Sequence, residues 1–218
     1  MAKHFHKELE KVKKRILSLG TMVEERLRLA TDTIENLDTE IAKKIIATDY
    51  EIDEMEVEVE EECLKILALY QPVAVDLRFI IAAIKINNDL ERIADEAANI
   101  AQRVITIAGL EIGGFYFDYG IMAEKTQQML KMSLDSMVNL DVDVAFKVVT
   151  MDDEVDEIHR RAYDAIKLQI QQTPNRPGGL INLYLISRHL ERIADHTTNI
   201  AEEVIYMIEG EIIRHGNY

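Results

Sequence analysis

Acidic residues spaced four apart are the feature of this sequence that could do chemistry. They form four pairs on predicted helices: Asp49 with Asp53, Glu91 with Asp95, Asp152 with Asp156, and Glu191 with Asp195. Residues four apart lie on the same face of a helix, one turn above the other. Carboxylate oxygens suit hard cations such as magnesium, calcium, manganese or iron, and two adjacent pairs can hold an ion or a small cluster. The eight residues are therefore predicted metal ligands.

The spacing alone is weak evidence for such a site. With 40 acidic residues in 218, random placement gives about seven pairs of this kind. Recurrence at matching places in the two halves favours a site, and His159 can add a nitrogen ligand three residues after Asp156. The opposing interpretation is a solvated acidic face, in which Arg92 bonds Glu96 and Arg192 is an ordinary surface charge. Both interpretations stay open on the residues alone.

Catalytic motifs are missing from the sequence. It contains no GxSxG, no GxxxxGK[ST], no CxxC and no HExxH. The single cysteine, Cys63, follows Glu60, Glu61 and Glu62, which raise a thiol pKa and so disfavour a reactive nucleophile. A ferritin-like di-iron centre needs a Glu-x-x-His pair on each of two helices, and no such pair occurs. The chain is predicted not to be an enzyme.

Charge and composition narrow the partners and the compartment. The 40 acidic and 25 basic residues give a net charge of −15, which repels nucleic acid and anionic lipid. No run of 18 apolar residues can span a membrane, and the first residues are charged where an export signal needs an apolar run. A single cysteine fits a reducing compartment. The predicted location is the cytoplasm, without direct membrane insertion and without nucleic acid.

The chain is an internal duplication. Residues 90–104 read LERIADEAANIAQRV and residues 190–204 read LERIADHTTNIAEEV, with ten of fifteen positions identical at a spacing of 100 residues. A fainter match joins residues 49–54 to residues 152–157. The sequence therefore predicts two domains, residues 1–112 and residues 113–218, each one copy of the same unit.

Apolar periodicity predicts three helices in each unit. Six are expected: 5–35, 38–71, a long third helix that ends at Gly109, 116–139, 141–171, and a last helix to about 213. The third helix of each unit has apolar residues in strict 4-3 alternation, which is typical of a coiled-coil seam. Short links between long helices make neighbours antiparallel. The predicted fold is all-α, with two tandem antiparallel three-helix bundles.

The doubled block carries a resemblance to a known family. The LERIAD-x-x-x-NIA repeat, the Asp-x-x-x-Asp segments on the preceding helices and QPVAVDLRFI at 71–80 resemble the PhoU family of phosphate uptake regulators. The resemblance covers essentially the whole chain. It implies spectrin-like bundles related by pseudo-twofold symmetry, in a cytoplasmic and often homodimeric protein.

The resemblance also implies a function. Members of the family negatively regulate the phosphate-starvation response through the ATPase of the phosphate ABC transporter and its sensor histidine kinase. Some bind iron or other metals through E/D-x-x-x-D motifs, which match the eight acidic residues given above. Two alternatives remain: a metal-binding helical adaptor or metalloenzyme not tied to phosphate, and a purely structural coiled-coil adaptor. The halves also differ, since Glu96-Ala-Ala is replaced by His196-Thr-Thr, so two sites need not be alike.

Overall fold

The protein is a helical molecule built from two packed halves. The computed structural model describes residues 2–110, 114–175 and 177–213. Seven helices occur in these residues: α1 Ala2–Asn36, α2 Thr39–Ala47, α3 Tyr50–Tyr70, α4 Ala74–Ala108, α5 Gly120–Asn139, α6 Val142–Gln172 and α7 Pro177–Glu209. These ranges contain no strand, and the all-α prediction is confirmed. None of the helices described is long and apolar enough to cross a lipid bilayer.

Each half is a three-helix bundle, as predicted. In the first half α1, α4 and the α2–α3 pair pack on one another, and in the second half α5, α6 and α7 do the same. The predicted seams are buried: Ile86, Leu90, Ile93, Ala97, Ile100, Val104 and Ile107 on α4, and Ile186, Leu190, Ile193, Thr197, Ile200, Val204 and Met207 on α7. The predicted domain boundary, between residues 112 and 113, lies outside the described residues.

The second helix of the first half is broken, which differs from the prediction of one continuous helix over 38–71. The chain leaves helical hydrogen bonding at Thr48 and Asp49, between α2 and α3. Arg26 of α1 reaches this break: its guanidinium donates to the carbonyl of Ile45 at 2.8 Å and to that of Thr48 at 3.0 Å. Arg26 is itself buried. Its side chain therefore supplies a donor to the Ile45 carbonyl at the break, and a second donor to the Thr48 carbonyl, which also accepts from the backbone N–H of Glu51 at 3.2 Å.

The equivalent helix of the second half, α6, has no break. Counted from the repeated Asn-Leu-Asp junction, residues 36–38 and 139–141, the halves correspond at a spacing of 103 residues. Arg26 then corresponds to Met129, which is buried and apolar. Opposite it, α6 runs unbroken from Val142 to Gln172. The first half thus combines the buried Arg26 guanidinium with a broken helix, whereas the second half combines the buried Met129 thioether with a continuous helix.

Smaller differences occur at helix ends. The fifth helix begins at Gly120 rather than 116, because the Tyr119 hydroxyl donates to the carbonyl of Leu183 at 2.7 Å and ties the preceding segment to α7. The last helix ends at Glu209, before the expected 213. Leu69, in the final turn of α3, is exposed.

The two halves meet through α4 and α7, with a second contact between α1 and α5. At the second contact, a β-carbon added to Gly20 would come within 3.0 Å of the Leu134 side chain. Glycine therefore permits the close approach of α1 and α5. Because α4 and α7 each carry one acidic pair of the repeated block, their packing brings the two sets of carboxylates to one region of the molecule.

The Arg26 contact gives a stability prediction. Arg26→Met introduces the residue found at the equivalent place in the second half and removes the donors to Ile45 and Thr48. Leaving the buried Ile45 carbonyl without this donor is expected to lower the free energy of unfolding by about 1–3 kcal/mol. Urea unfolding followed by circular dichroism measures the change. Arg28→Met is the matched control, since Arg28 makes only exposed ion pairs with Glu25 and Asp32 and should change stability by less than about 0.5 kcal/mol. Equal effects of the two substitutions would contradict the role of Arg26.

Candidate functional site: two acidic clusters beside the interface of the halves

The first acidic cluster joins the α2–α3 break to α4. Asp49 lies at the break and Asp53 in the first turn of α3, while Glu91 and Asp95 face them from α4. Burial raises the pKa of Asp49, and the neighbouring charges of Asp53 and Asp95 raise it further, while Arg26 offsets part of the effect. Burial and the charge of Asp53 likewise raise the pKa of Asp95. The four predicted residues are therefore close enough for their charges to interact.

Two arginines moderate this first cluster. Arg26 lies 3.4 Å from an Asp49 oxygen. Arg92 lies 3.5 Å from Glu91 and 3.8 Å from Asp95. The expectation that Arg92 bonds Glu96 was wrong, because Glu96 is buried and turned towards α7. The first cluster is thus partly neutralised by cations of its own bundle.

The second cluster brings together Asp152 and Asp156 of α6 with Glu191 and Asp195 of α7. Burial, followed by repulsion from Asp195 and Asp156, raises the pKa of Asp152 to about 7. Burial and the charges of Asp195 and Asp156 also raise the pKa of Glu191. Among the described residues, none of these four carboxylates has a cation within ion-pair distance. Met129 in place of Arg26 is one reason, since the second half has no buried guanidinium beside Asp152.

His159, predicted as an added ligand, faces α7. Its Nδ1 lies 3.0 Å from the Ser187 hydroxyl, and its ring packs on that of Tyr184 at 5.5 Å between centroids. Burial lowers the pKa of His159, although the nearby Asp156 acts in the opposite direction. The imidazole is therefore at the edge of the second cluster with one nitrogen already occupied by a hydrogen bond.

The fit of a metal ion to these clusters can be judged from the side chains. Oε2 of Glu91 is buried and accepts no hydrogen bond, although Nε of Arg92 lies 3.5 Å from it. However, no group of three or more His, Cys, Asp or Glu side chains converges on a point that could hold a metal ion, within the parts of the chain described. The side chains as arranged do not fit a bound metal. The role of the eight residues as ligands stays a prediction.

A buried polar network joins the two clusters across the interface of the halves. Glu96 of α4 is buried, with His189 Nδ1 at 2.6 Å from one of its oxygens and Arg192 at 3.0 Å from the other. Burial by itself would raise the pKa of Glu96, but the hydrogen bond and charge of His189 and the charge of Arg192 outweigh it, so the pKa lies below its usual value. Arg192 is half exposed, as expected of a surface charge, but it also pairs with the buried Glu96 of the other half.

A second set of polar side chains lies seven residues, or about two helical turns, further along the same interface. His196 Nδ1 is 2.9 Å from Asp89, and the amide of Asn199 donates to the same Asp89 oxygen at 3.2 Å. Lys85 and Glu203 continue the contacts at 3.1 Å. His196 directly follows Asp195 in the chain, and Arg192 directly follows Glu191. The network and the second cluster therefore use neighbouring residues of α7.

These interface residues were not identified from the sequence, although a signal was present. At the 100-residue spacing, Asp89 corresponds to His189 and Glu96 to His196. Two acids in one copy thus stand where the other copy has two histidines. Replacement of acids by histidines at equivalent positions of a duplicated helix is the pattern expected of residues that pair with each other across a pseudo-twofold axis.

Comparison with known families was made on the whole chain. The PhoU domain family matches residues 16–104 and 120–204, once in each half. The phosphate-specific transport system accessory protein PhoU homolog of Aquifex aeolicus is 38% identical over 209 residues, covering 96% of this chain and 95% of that protein. The homolog of the same description from Pseudomonas aeruginosa is 35% identical, covering 99% of this chain and 89% of its own length.

Solved structures agree with the sequence comparison. The crystal structure of PhoU from Pseudomonas aeruginosa superposes with a TM-score of 0.90 at 35% identity, covering 95% of this chain and 100% of that one. The phosphate transport system regulatory protein PhoU from Streptococcus pneumoniae gives a TM-score of 0.86 at 28% identity, covering 95% and 98%. The likeness extends over both bundles and their relative placement.

The raised pKa of Asp152 predicts a pH dependence. Its pKa rises from 3.8 to about 7 on folding, so the folded state holds a proton that the unfolded state has lost. The contribution of Asp152 to the free energy of unfolding should therefore be fully present below about pH 4 and be lost as pH rises through about 7. Asp152→Asn removes this loss and should stabilise the protein at pH 7.5 by about 1–2 kcal/mol, after allowance for partial solvation of the carboxyl.

Chemical denaturation of both proteins at pH 4 and pH 7.5 measures the effect. Asp49→Asn is the matched control in the first half, where Arg26 lies 3.4 Å from the carboxylate and offsets part of the effect that raises its pKa, and it should give a smaller gain at pH 7.5. An Asp152→Asn protein that is no more stable than the unaltered one at pH 7.5 would show that Asp152 is ionised without cost.

Proposed function

The chain belongs to the PhoU family, and from this premise we propose that it regulates phosphate transport and holds the phosphate-starvation response off when phosphate is plentiful. The observation that carries the proposal is the match of both halves to the family, over residues 16–104 and 120–204. Support also comes from relatives described as accessory proteins of the phosphate-specific transport system. These relatives match 96% and 99% of the chain.

The proposed route runs through two partners. One is the ATPase of the phosphate ABC transporter and the other is the phosphate-sensing histidine kinase. Both act in the cytoplasm, which is the location proposed for this protein, and we propose that it works there as a homodimer. The net charge of −15 favours basic surfaces on these partners and disfavours nucleic acid and anionic lipid.

The protein is proposed to act by binding rather than by chemistry. Its one thiol supports this, since Cys63 is buried in the core and burial raises its pKa to about 12. A thiol in that state is not a nucleophile at neutral pH. The family match does not support the alternative of a helical metal-binding adaptor or metalloenzyme unconnected with phosphate, and no step of the proposed function goes through a metal.

Phosphate dependence gives the test of this function. In cells with ample phosphate, deletion of the gene should switch on a reporter of the phosphate-starvation response, and the full-length chain should restore repression. Purification of a tagged chain from the same cells should recover the transporter ATPase or the kinase. A deletion strain that keeps the reporter off, with recovery of neither partner, would favour a plain structural adaptor instead.

The predicted ligand role of the acidic clusters is tested separately. Protein purified from cells is analysed for bound metal by elemental analysis, before and after Glu91→Gln, Asp95→Asn, Glu191→Gln and Asp195→Asn are introduced together. If the clusters ligate metal, the substitutions should remove it while helical circular dichroism is retained. Equal metal content in the two proteins would exclude these residues as ligands.

A further inference from the structure

The outward face of α3 carries an exposed line of alternating apolar and acidic residues. Tyr50, Val57 and Leu64 are 56%, 50% and 53% exposed and follow one another at seven-residue spacing. Seven residues make about two helical turns, so these three side chains lie on one face. Glu54 and Glu61 stand between them on the same face and are also exposed. We call these five residues the α3 stripe.

The second half supplies a matched comparison for this face. The register is secure, because buried residues coincide at the 103-residue spacing: Ala42 with Ala145, Ile45 with Val148, Ile52 with Val155, Val59 with Ala162, and Cys63 with Ile166. Both helices therefore present the same side to the core of their bundle. The sides that they present outwards can be compared residue by residue.

The equivalent line on α6 is polar throughout. It consists of Asp153, Glu157, Arg160, Asp164 and Lys167, all of which are exposed. Arg160 pairs with Glu157 at 3.0 Å, within the helix itself. The exposed apolar residues of α6, Tyr163 and Leu168, lie off this line, and Tyr163 packs on Tyr184. The bundle therefore forms without apolar residues on this face, and those of the α3 stripe are not required by the fold.

Charge distinguishes the two faces further. Residues 50–70 contain eight acidic residues and one lysine, whereas the matched residues 153–173 contain five acidic residues with two arginines and a lysine. Lys65 lies 3.8 Å from Glu62, which offsets its charge. Glu54 and Glu61 have no ion pair among the described residues. The apolar side chains of the stripe are thus separated by carboxylates that are available to a cationic partner.

We propose that the α3 stripe docks a basic amphipathic helix of a partner protein. Apolar side chains of that helix would cover Tyr50, Val57 and Leu64, while its lysines or arginines would pair with Glu54 and Glu61. The α-carbons of Tyr50 and Leu64 are about 21 Å apart along the helix, so the partner helix needs about four turns. The proposal rests on the asymmetry of the two halves and does not depend on the role in phosphate transport.

Charge also selects among the possible occupants. A second copy docked stripe to stripe would bring Glu54 and Glu61 against the same residues of the other chain, and like charges oppose that contact. Anionic lipid and nucleic acid are repelled by the same carboxylates. A helix that combines aliphatic and basic residues is the occupant that satisfies both components of the stripe.

The test uses a designed probe and the full chain. The probe is a fluorescent 18-residue helical peptide with leucine on one face and lysine on its flanks, and its control has glutamate in place of each lysine. Fluorescence anisotropy should show binding of the lysine peptide but not of the glutamate peptide. Tyr50→Asp, Val57→Arg and Leu64→Lys together, which introduce the α6 residues, should weaken binding about tenfold or more.

Two further variants separate the apolar from the ionic part. Glu54→Gln with Glu61→Gln should reduce the salt dependence of binding while keeping the apolar contact. Asp153→Tyr, Arg160→Val and Lys167→Leu, made together on α6, should create a second binding site and double the stoichiometry. Circular dichroism verifies that each variant is folded, so that loss of binding reflects the surface.

Several outcomes would overturn the proposal. Equal affinity of the triple α3 variant and the unaltered chain would show that the peptide binds elsewhere, as would equal affinity for the two peptides. Sedimentation of the unaltered chain and of the triple α3 variant tests whether a second copy of the chain, rather than a partner helix, covers the stripe. If the unaltered chain is a dimer and the triple α3 variant is a monomer, a second copy covers the stripe and a basic partner helix does not.

Discussion

The antiparallel packing of α4 against α7 is the interaction on which the rest of the molecule depends. It joins the two halves, and it buries Glu96, which pairs with the partly buried His189 and the half-exposed Arg192, while Asp89 meets His196. Burial of a carboxylate is tolerated only when it is paired and hydrogen-bonded. The interface therefore accepts one alignment of the two helices, in which Asp89 of α4 faces His196 and Glu96 of α4 faces His189.

The pairing also explains why unlike halves associate. Asp89 and Glu96 occupy positions equivalent to His189 and His196, so an α4–α4 contact would place acids against acids. An α7–α7 contact would place histidines against histidines. Acids on one copy and histidines at the same positions of the other favour contact between the two different halves. Identical copies could not provide this preference, so it arose when the copies diverged in sequence.

Divergence of the copies recurs at other places in the molecule. Arg26 donates to the broken helix and offsets part of the charge of Asp49 in the first half, while Met129 lies beside a continuous helix in the second. The first acidic cluster consequently has cations beside it, and the second leaves Asp152 with a pKa raised to about 7. The two halves thus have similar backbones but different charges around their acidic clusters. The difference comes from the residues outside the repeated block, which differ between the halves.

The sequence by itself determined the helical class, the duplication, the buried seams and the membership of each acidic pair, because these depend on periodicity and repetition along the chain. Only the tertiary structure decided that the second helix breaks at Thr48, that Arg92 serves Glu91 and Asp95, and that Glu96 belongs to the interface. Each of these depends on a side chain from a distant helix, such as Arg26 or His189, that competes for a partner. Spacing along one helix shows which residues share a face, but only packing shows what that face meets.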